Sequence, residues 1–328
     1  MNLIKSMSPQ IRSPKSTQWI MRQVLIATLP VLAAATYFFG YMALVNVFVA
    51  LASAVAFEAA YQYFTHQPIT IKDSSAMVTG VLMGLSLPVT APLWSHILGS
   101  FIAIVVIKHF IGKGLGRNRL NPAATSRVLL KVFFTPWITN WVLPHSDLVS
   151  TVTPLEFIGN GAIALPTQVN LPSLMDMFLG FNLGGNIGET SKLAILIGCA
   201  YLVIVGVINI KIPFLYIVTT MVMMGLFSSV NLDFMLAHAL TGTLFFGAVF
   251  MATDYSSGAL TPTGQTLFAV GLGILTASIR FFFDFPGAVG FAIIIMNLLA
   301  PTLDRHFAPR IYGYTRRMKV EFNRQRSL

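Results

Sequence analysis

The stretch Gly184-Gly185-Asn186-Ile187-Gly188-Glu189-Thr190-Ser191-Lys192 divides this sequence in two. It closes a long polar connection with no basic residue between Val132 and Ser191, and it opens an apolar run from Leu193 to Ile210. Glycines followed by hydroxyls at a helix start make an anion site, because free backbone N–H groups and the positive end of the helix dipole point outward. Lys192 in the first turn opposes that dipole, which a nearby anion would explain. The plainer alternative is that Thr190 or Ser191 only caps the helix. No capping box supports it, since Leu193 and Ala194 stand where Glu or Gln would complete one. Local chemistry leaves both open.

Outward from this stretch, the composition sets the class. Of 328 residues, 55% are hydrophobic and 10% charged, and the mean hydropathy is +0.74. A soluble chain carries about 25% charged residues. The sequence is that of an all-α polytopic membrane protein. Its net charge of +10 comes from basic clusters beside apolar spans, the pattern of a chain held against an anionic lipid bilayer, and implies no nucleic acid. The single cysteine, Cys199, excludes internal disulfides and an iron–sulfur cluster held by this chain alone. The histidines show no ligand spacing. Basic Lys5, Arg12 and Lys15 before an apolar segment imitate a signal peptide, but Val24–Phe39 is long and another span follows at once. An uncleaved first helix is expected.

Apolar runs of near 20 residues place about ten transmembrane helices at 20–39, 42–62, 75–89, 93–112, 122–138, 192–210, 213–230, 234–252, 264–283 and 286–303. The third is short and the fifth contains Arg127 and Lys131, so both are read as broken or partly re-entrant. The N-terminal segment carries Lys5, Arg12, Lys15 and Arg22 with no acid, and Lys113, Arg117 and Arg119 follow the fourth span. From Arg305 onward seven basic residues face Glu321 alone, whereas the 139–191 connection carries Asp147, Glu156, Asp176 and Glu189. The charge rule puts both termini in the cytoplasm and Thr190 outside. Thr79-Gly80-Val-Leu echoes Thr241-Gly242-Thr-Leu. With an odd number of spans per unit, the two five-helix repeats must be inverted. The chain divides into a cytoplasmic segment (1–19), a first membrane repeat (20–138), an extracytoplasmic connection (139–191), a second repeat (192–303) and a basic cytoplasmic tail (304–328).

Polar motifs gather at the expected cytoplasmic ends: Lys72-Asp73-Ser74-Ser75, Gly116-Arg117-Asn118 through Asn121-Pro122, and Thr253-Asp254 with Ser256 and Ser257, followed by Thr261, Thr263 and Gln265. Each alone is a cap or turn, with Asn121-Pro122 a good helix start. Together they form a polar cluster across the membrane from Thr190. Glu58 lies inside the second span and is either part of a cation or proton pathway or the partner of Arg127 or Lys131. Gly80-x-x-x-Gly84 reads as helix packing. No Ser/His/Asp set, P-loop or G-x-G-x-x-G is present.

The run Gly-x-x-Gly-Glu-Thr-Ser at Gly185–Ser191 resembles the flavin attachment sequence of the RnfD/NqrB family of membrane redox subunits. Asn186 stands where serine often follows the glycine, which leaves the acceptor intact. The resemblance extends from Ser13-Pro14 to Arg310-Ile311-Tyr312-Gly313 and takes in Asn121-Pro122-Ala123 and Thr253-Asp254, with Tyr255 in place of the usual proline. It implies FMN joined to Thr190 through a phosphoester, with Gly188, Glu189, Ser191 and Lys192 around it. The cluster of Asp73, Asn121 and Asp254 is then either capping or a second, noncovalent flavin site, for example for riboflavin. The implied setting is the prokaryotic inner membrane and an ion-translocating ferredoxin:NAD oxidoreductase coupled to Na⁺ or H⁺, with RnfA, RnfB, RnfC, RnfE and RnfG as partners. An ApbE-type flavin transferase would attach the FMN. The NqrB branch is the rival, with a longer N-terminal extension than the one before Trp19. A channel or transporter without redox role, built of similar inverted repeats as in urea-transporter-like folds, is the rival of another class.

Overall fold

Ser16 starts the first helix, its hydroxyl accepting from the Trp19 amide (3.1 Å). Helix α1, Thr17–Phe39, runs through Pro30. Gly40 alone separates it from α2, Tyr41–Phe64. At φ +73° Gly40 adopts a backbone that side-chain-bearing residues avoid, and its amide donates to Thr36 O. A computed structural model describes residues 15–144, 150–151, 173–181, 183–227, 232–283, 285 and 287–308. Lys5, Arg12, Asp147, Glu156 and Arg310 to Gly313 fall outside the described residues.

Among the described residues ten more helices of six residues or longer follow. They are α3 Ser75–Leu85, α4 Leu93–Ile111, α5 Pro122–Phe133 and α6 Leu174–Leu179, then α7 Lys192–Ile204, α8 Lys211–Phe227, α9 Leu232–Leu240 and α10 Leu244–Met251. The last two are α11 Pro262–Phe283 and α12 Ala288–His306. Two short strands, Trp141–Val142 and Ser150–Thr151, pair antiparallel with Trp141 opposite Thr151. The second half of α4, Ile102–Ile111, winds as a π-helix, a wider form concentrated at functional sites.

Among the described residues, helices α1, α2, α4, α11 and α12 are long and apolar enough to cross a membrane, and α9 with α10, bent by 62° at the break, is either a broken sixth span or a re-entrant pair. The chain is a mainly helical, multi-pass membrane protein. The segment read as a short third span is a helix of 11 residues, α3, too short to be counted with those spans. The fifth ends at Phe133, and Pro136, without an amide hydrogen, sits in a separate single turn, Thr135–Ile138. The eighth differs from its expected continuous form: it breaks between Leu240 and Leu244, where Gly242 turns to φ +66°. Consequently Thr241-Gly242 marks a break, while Thr79-Gly80 lies inside α3.

A continuous apolar core links α1 (Val31), α7 (Ile195, Leu202), α10 (Phe246), α11 (Leu272) and α12 (Ile293). Helix α1 packs on α7, and α5 on α12. Large exposed apolar side chains such as Phe48, Phe110, Phe133 and Phe283 clothe the outside. Within lipid, helices are held by close fit rather than by the hydrophobic effect. A Cβ on Gly80 would lie 2.7 Å from Leu51 Cα, and one on Gly84 2.8 Å from Val47 Cα, so glycine is required where α3 meets α2. Gly80→Leu is therefore expected to cost roughly 1–3 kcal/mol or more through overpacking. Thermal unfolding in detergent checks it, and an unchanged midpoint would remove the packing role.

Candidate functional site

Residues 183–192 are all buried. Their backbone answers the end of α3: Ile187 N donates to Leu87 O (3.0 Å) and Gly188 N to Leu85 O (2.7 Å). These carbonyls have no partner within the helix, so the loop supplies what the interior lacks. Gly188 is needed for the approach, since a Cβ there would lie 2.9 Å from Leu85 O and 3.0 Å from Phe246. Glu189 folds back on its own loop: its Oε1 accepts from Asn186 N (2.9 Å) and Oε2 from Asn186 Nδ2 (3.0 Å). Thr190 is 1% exposed and its hydroxyl donates to Asn186 O (3.2 Å). Ser191, not Thr190, caps α7, its Oγ accepting from Ala194 N (3.3 Å). Lys192 turns back to donate from Nζ to Glu189 O (2.5 Å). The cap is thus made by Ser191, while Lys192 meets a backbone carbonyl of its own turn.

Two further buried cations, on other helices, feel the charge of Glu189. Arg127 on α5 and Arg280 on α11 both interact electrostatically with Glu189, as Lys192 does. Arg280 also holds the broken span: Nη1 donates to His238 O (2.5 Å) and Nη2 to Thr241 O (3.4 Å), meeting carbonyls that α9 leaves open at its end.

A second centre gathers the polar motifs. One cavity is lined by Ser75, Lys108, Asn118, Asn121, Thr253, Asp254 and Ser256, from segments far apart in sequence. Asn121 caps α5, its Oδ1 accepting from Ala124 N (3.0 Å), while its Nδ2 donates to Met251 O (3.0 Å) and ties α5 to α10. Asp254 accepts from Ser256 Oγ (3.0 Å) and Ser257 Oγ (2.8 Å). Asp73 does not line the cavity; it accepts from the amide and hydroxyl of Ser75 (2.8 and 2.7 Å). Tyr255, in the position read as a departure from the family pattern, donates its hydroxyl to Val207 O. Burial, with Asp254 adding to it, pushes that phenol up and keeps it a donor. The cavity measures about 70 Å³, below the ~300 Å³ usual for ligand pockets, so a flavin ring does not fit it without movement of the lining.

Glu58 is 1% exposed, but neither Arg127 nor Lys131 is its partner. Lys108 Nζ lies 2.6 Å from Glu58 Oε2 and donates also to Ser75 Oγ (2.6 Å). His109 Nε2 lies 3.8 Å from Oε1, and Gln62 Nε2 donates to it at 3.3 Å. The expected partners failed because helix rise places a residue by depth only; the π-helical turn of α4 carries Lys108 to α2. Sequence reasoning missed Lys108 and Arg280, although lone cations in apolar runs are signals of the same kind as Glu58.

A family model described as the NQR2, RnfD, RnfE family matches residues 4–313. The chain belongs to the NQR2, RnfD, RnfE family. Curated members of the family are similar along nearly its whole length. One from Acetobacterium woodii, named as the D-type subunit of a Na(+)-translocating ferredoxin:NAD(+) oxidoreductase complex, is 40% identical over 96% of this chain and 97% of its own. Its counterpart from Clostridium ljungdahlii, named for a proton-translocating ferredoxin:NAD(+) oxidoreductase complex, is 36% identical over 95% and 96%. That of Ectopseudomonas mendocina, named for an ion-translocating oxidoreductase complex, is 36% identical over 96% and 97%.

The buried Glu58–Lys108 pair makes a prediction that does not depend on family membership. Removing one partner strands the other charge, at a cost of roughly 3–5 kcal/mol. Glu58→Gln and Lys108→Met are each expected to lower the unfolding midpoint, and the double variant to recover much of the loss. Additive losses in that cycle would show that the two side chains are not coupled.

Proposed function

We propose that this chain is the D-type, membrane-embedded electron-transfer subunit of an ion-translocating ferredoxin:NAD oxidoreductase and carries FMN as a phosphoester on Thr190. Similarity over 96% of the chain to a relative so named is the observation that carries the proposal. Gly188-Glu189-Thr190-Ser191 supports the cofactor. So does the donor chemistry: a hydroxyl for the ester, and three buried cations near Glu189 for the phosphate. As folded, however, the hydroxyl is 1% exposed and bonded inward to Asn186. Attachment by an ApbE-type transferase therefore requires the Leu183–Ser191 loop to open. When bound, FMN supplies reversible electron storage. The chain's own part is to hold it in a dry, polar turn and to separate it from the second centre.

The wider assignments belong to the same proposal. The spans form about ten crossings as two inverted repeats, 20–138 and 192–303, around the 139–191 connection, with 1–19 and 304–328 in the cytoplasm and Thr190 on the outer side of the inner membrane. The pairing of α1 with α7 and of α5 with α12, the first and last helices of each repeat, supports that arrangement. Other Rnf subunits, RnfA, RnfB, RnfC, RnfE and RnfG, are the assigned partners. The cavity at Asn121 and Asp254 is assigned to a second, noncovalent flavin such as riboflavin, with Asp73 shaping its edge through Ser75. The cavity has to widen to take it, and Tyr255, 44% exposed, has to release Val207 O for that to happen. Glu58 is assigned to the ion pathway, its carboxylate exchanging Lys108 for the travelling Na⁺ or H⁺.

In-gel fluorescence of the denatured chain, co-expressed with the transferase, is expected to show a flavin band that Thr190→Val abolishes. A wild-type chain that stays dark beside an active transferase would favour a transporter without redox role. Asp254→Ala is expected to lose noncovalent flavin while keeping the covalent band; full retention would count against the cavity. Glu58→Gln is expected to slow ion transport more than electron flow, and equal rates in both assays would dismiss its pathway role.

A further inference from the structure

The break between α9 and α10 is closed by a cation. Helix α9 ends at Leu240, and Gly242 at φ +66° turns the chain toward α10. The turn is interior, with His238, Thr241 and Thr243 all buried. A helix end of this kind carries partial negative charge on carbonyls that have no partner within the helix. Ala237 O is met locally, by the amide and the hydroxyl of Thr241 (3.0 and 2.7 Å). His238 O and Thr241 O are met from another helix, by the guanidinium of Arg280 (2.5 and 3.4 Å). Arg280 is 2% exposed, and among the described residues no carboxylate lies within 4.0 Å of it. Its Nε is buried without a partner among the described residues, so its fork of donors is only partly used. Its contacts are carbonyl oxygens, the ligands that a free cation takes at the C-terminal end of an interrupted helix. The base of the side chain is held stiffly. Four residues earlier on α11, Thr276 shares a hydrogen bond with Tyr216 of α8 (2.7 Å), and both are buried. On the same face of α11, a Cβ on Gly273 would lie 2.5 Å from Thr219 Cβ, so the two helices touch closely there.

We propose that Arg280 is a tethered cation: it fills a carbonyl seat at the end of α9 that otherwise takes a small free cation such as Na⁺, and so bars mobile cations from the break. The other interior helix end shows that hydrogen bonding alone does not call for charge. Where α3 stops at Leu85, neutral backbone amides of Ile187 and Gly188 meet the open carbonyls. At α9 a full positive charge stands in the interior instead, a costly placement unless its surroundings favour a cation. A break in a span exposes carbonyls that attract mobile cations, and an occupant fixed to α11 closes it without a moving part. A cation bound covalently to the protein cannot be released, so the translocated ion travels elsewhere than through this turn. The inference is independent of the assignment of Thr190 and of any flavin.

The experiment uses the full chain in detergent, wild type beside Arg280→Met, Arg280→Gln and Arg280→Lys. Thermal unfolding is followed in NaCl and in choline chloride at equal ionic strength. Choline is too bulky for the seat, so the difference between the two midpoints reads a small bound cation. That difference in the wild type, which includes any Na⁺ held elsewhere, is the baseline. Arg280→Met is expected to unfold earlier than wild type in choline chloride and to gain about 2–4 °C in NaCl beyond the baseline, saturating with concentration. Arg280→Gln, which keeps donors without the charge, is expected to show the same added Na⁺ dependence. Arg280→Lys, which keeps the charge, is expected to show the baseline difference alone. Equal losses in both salts for Arg280→Met and Arg280→Gln would overturn the seat. So would an Arg280→Lys chain as unstable as Arg280→Met, which would assign the effect to the shape of the guanidinium. An Arg280→Gln chain as stable as wild type in choline chloride would reduce the role of Arg280 to hydrogen bonding and overturn the proposal too. If Arg280→Met folds in neither salt, Arg280→Gln decides by the same comparison.

Discussion

Helices that stop inside an apolar layer leave last-turn carbonyls which no water can meet, and much of this structure answers that constraint. Helix α3 stops at Leu85 and α9 at Leu240, both in the interior. The first is met by backbone amides of Ile187 and Gly188, the second by the guanidinium of Arg280. The two solutions have different consequences. An amide donor draws a loop into the protein, and that loop carries Glu189, Thr190 and Lys192. A guanidinium donor brings charge, which then has to be placed in relation to Glu189. The candidate site is thus a by-product of satisfying two broken helices. Its burial follows from the same hydrogen bonds.

The second centre is organised by amides and hydroxyls rather than by charge. Asn121 bridges α5 to Met251, and Asn297 on α12, with its amide oriented to suit both ends, accepts from Asn121 N at 3.0 Å and donates to Ser257 O at 3.2 Å. Polar groups satisfied across the two halves of the chain fix their register more sharply than apolar contacts do. The carboxylates of Asp73 and Asp254 serve the same end by holding serines at neighbouring helix ends and turns.

Much of this was legible in sequence. Long apolar runs announced α1, α2, α4, α11 and α12 because length and composition decide such spans. The shortness of α3 and the proline start of α5 were visible for the same local reasons. The break at Gly242 was not, since 234–252 is apolar on both sides of it and a positive φ leaves no mark in hydropathy. Asn121 and Asp254 could be grouped by their recurrence at span ends, and they do share a cavity. The partner of Glu58 could not be found, because Lys108 lies 50 residues away and its approach depends on a π-helical turn. The common influence of Glu189 on Arg127, Lys192 and Arg280 likewise needs the tertiary fold, for three isolated cations in apolar runs carry no sign of it.

The shortness of α3 also changes what lines the path beside it. Its 11 residues span about 16 Å at a rise of 1.5 Å per residue, against a hydrocarbon layer of about 30 Å. Beyond Leu85 the buried polar backbone of residues 183–192 takes the place of apolar side chains. A polar group beside α3 therefore meets peptide dipoles rather than hydrocarbon over part of its surroundings, and is less costly to bury there than against apolar side chains alone.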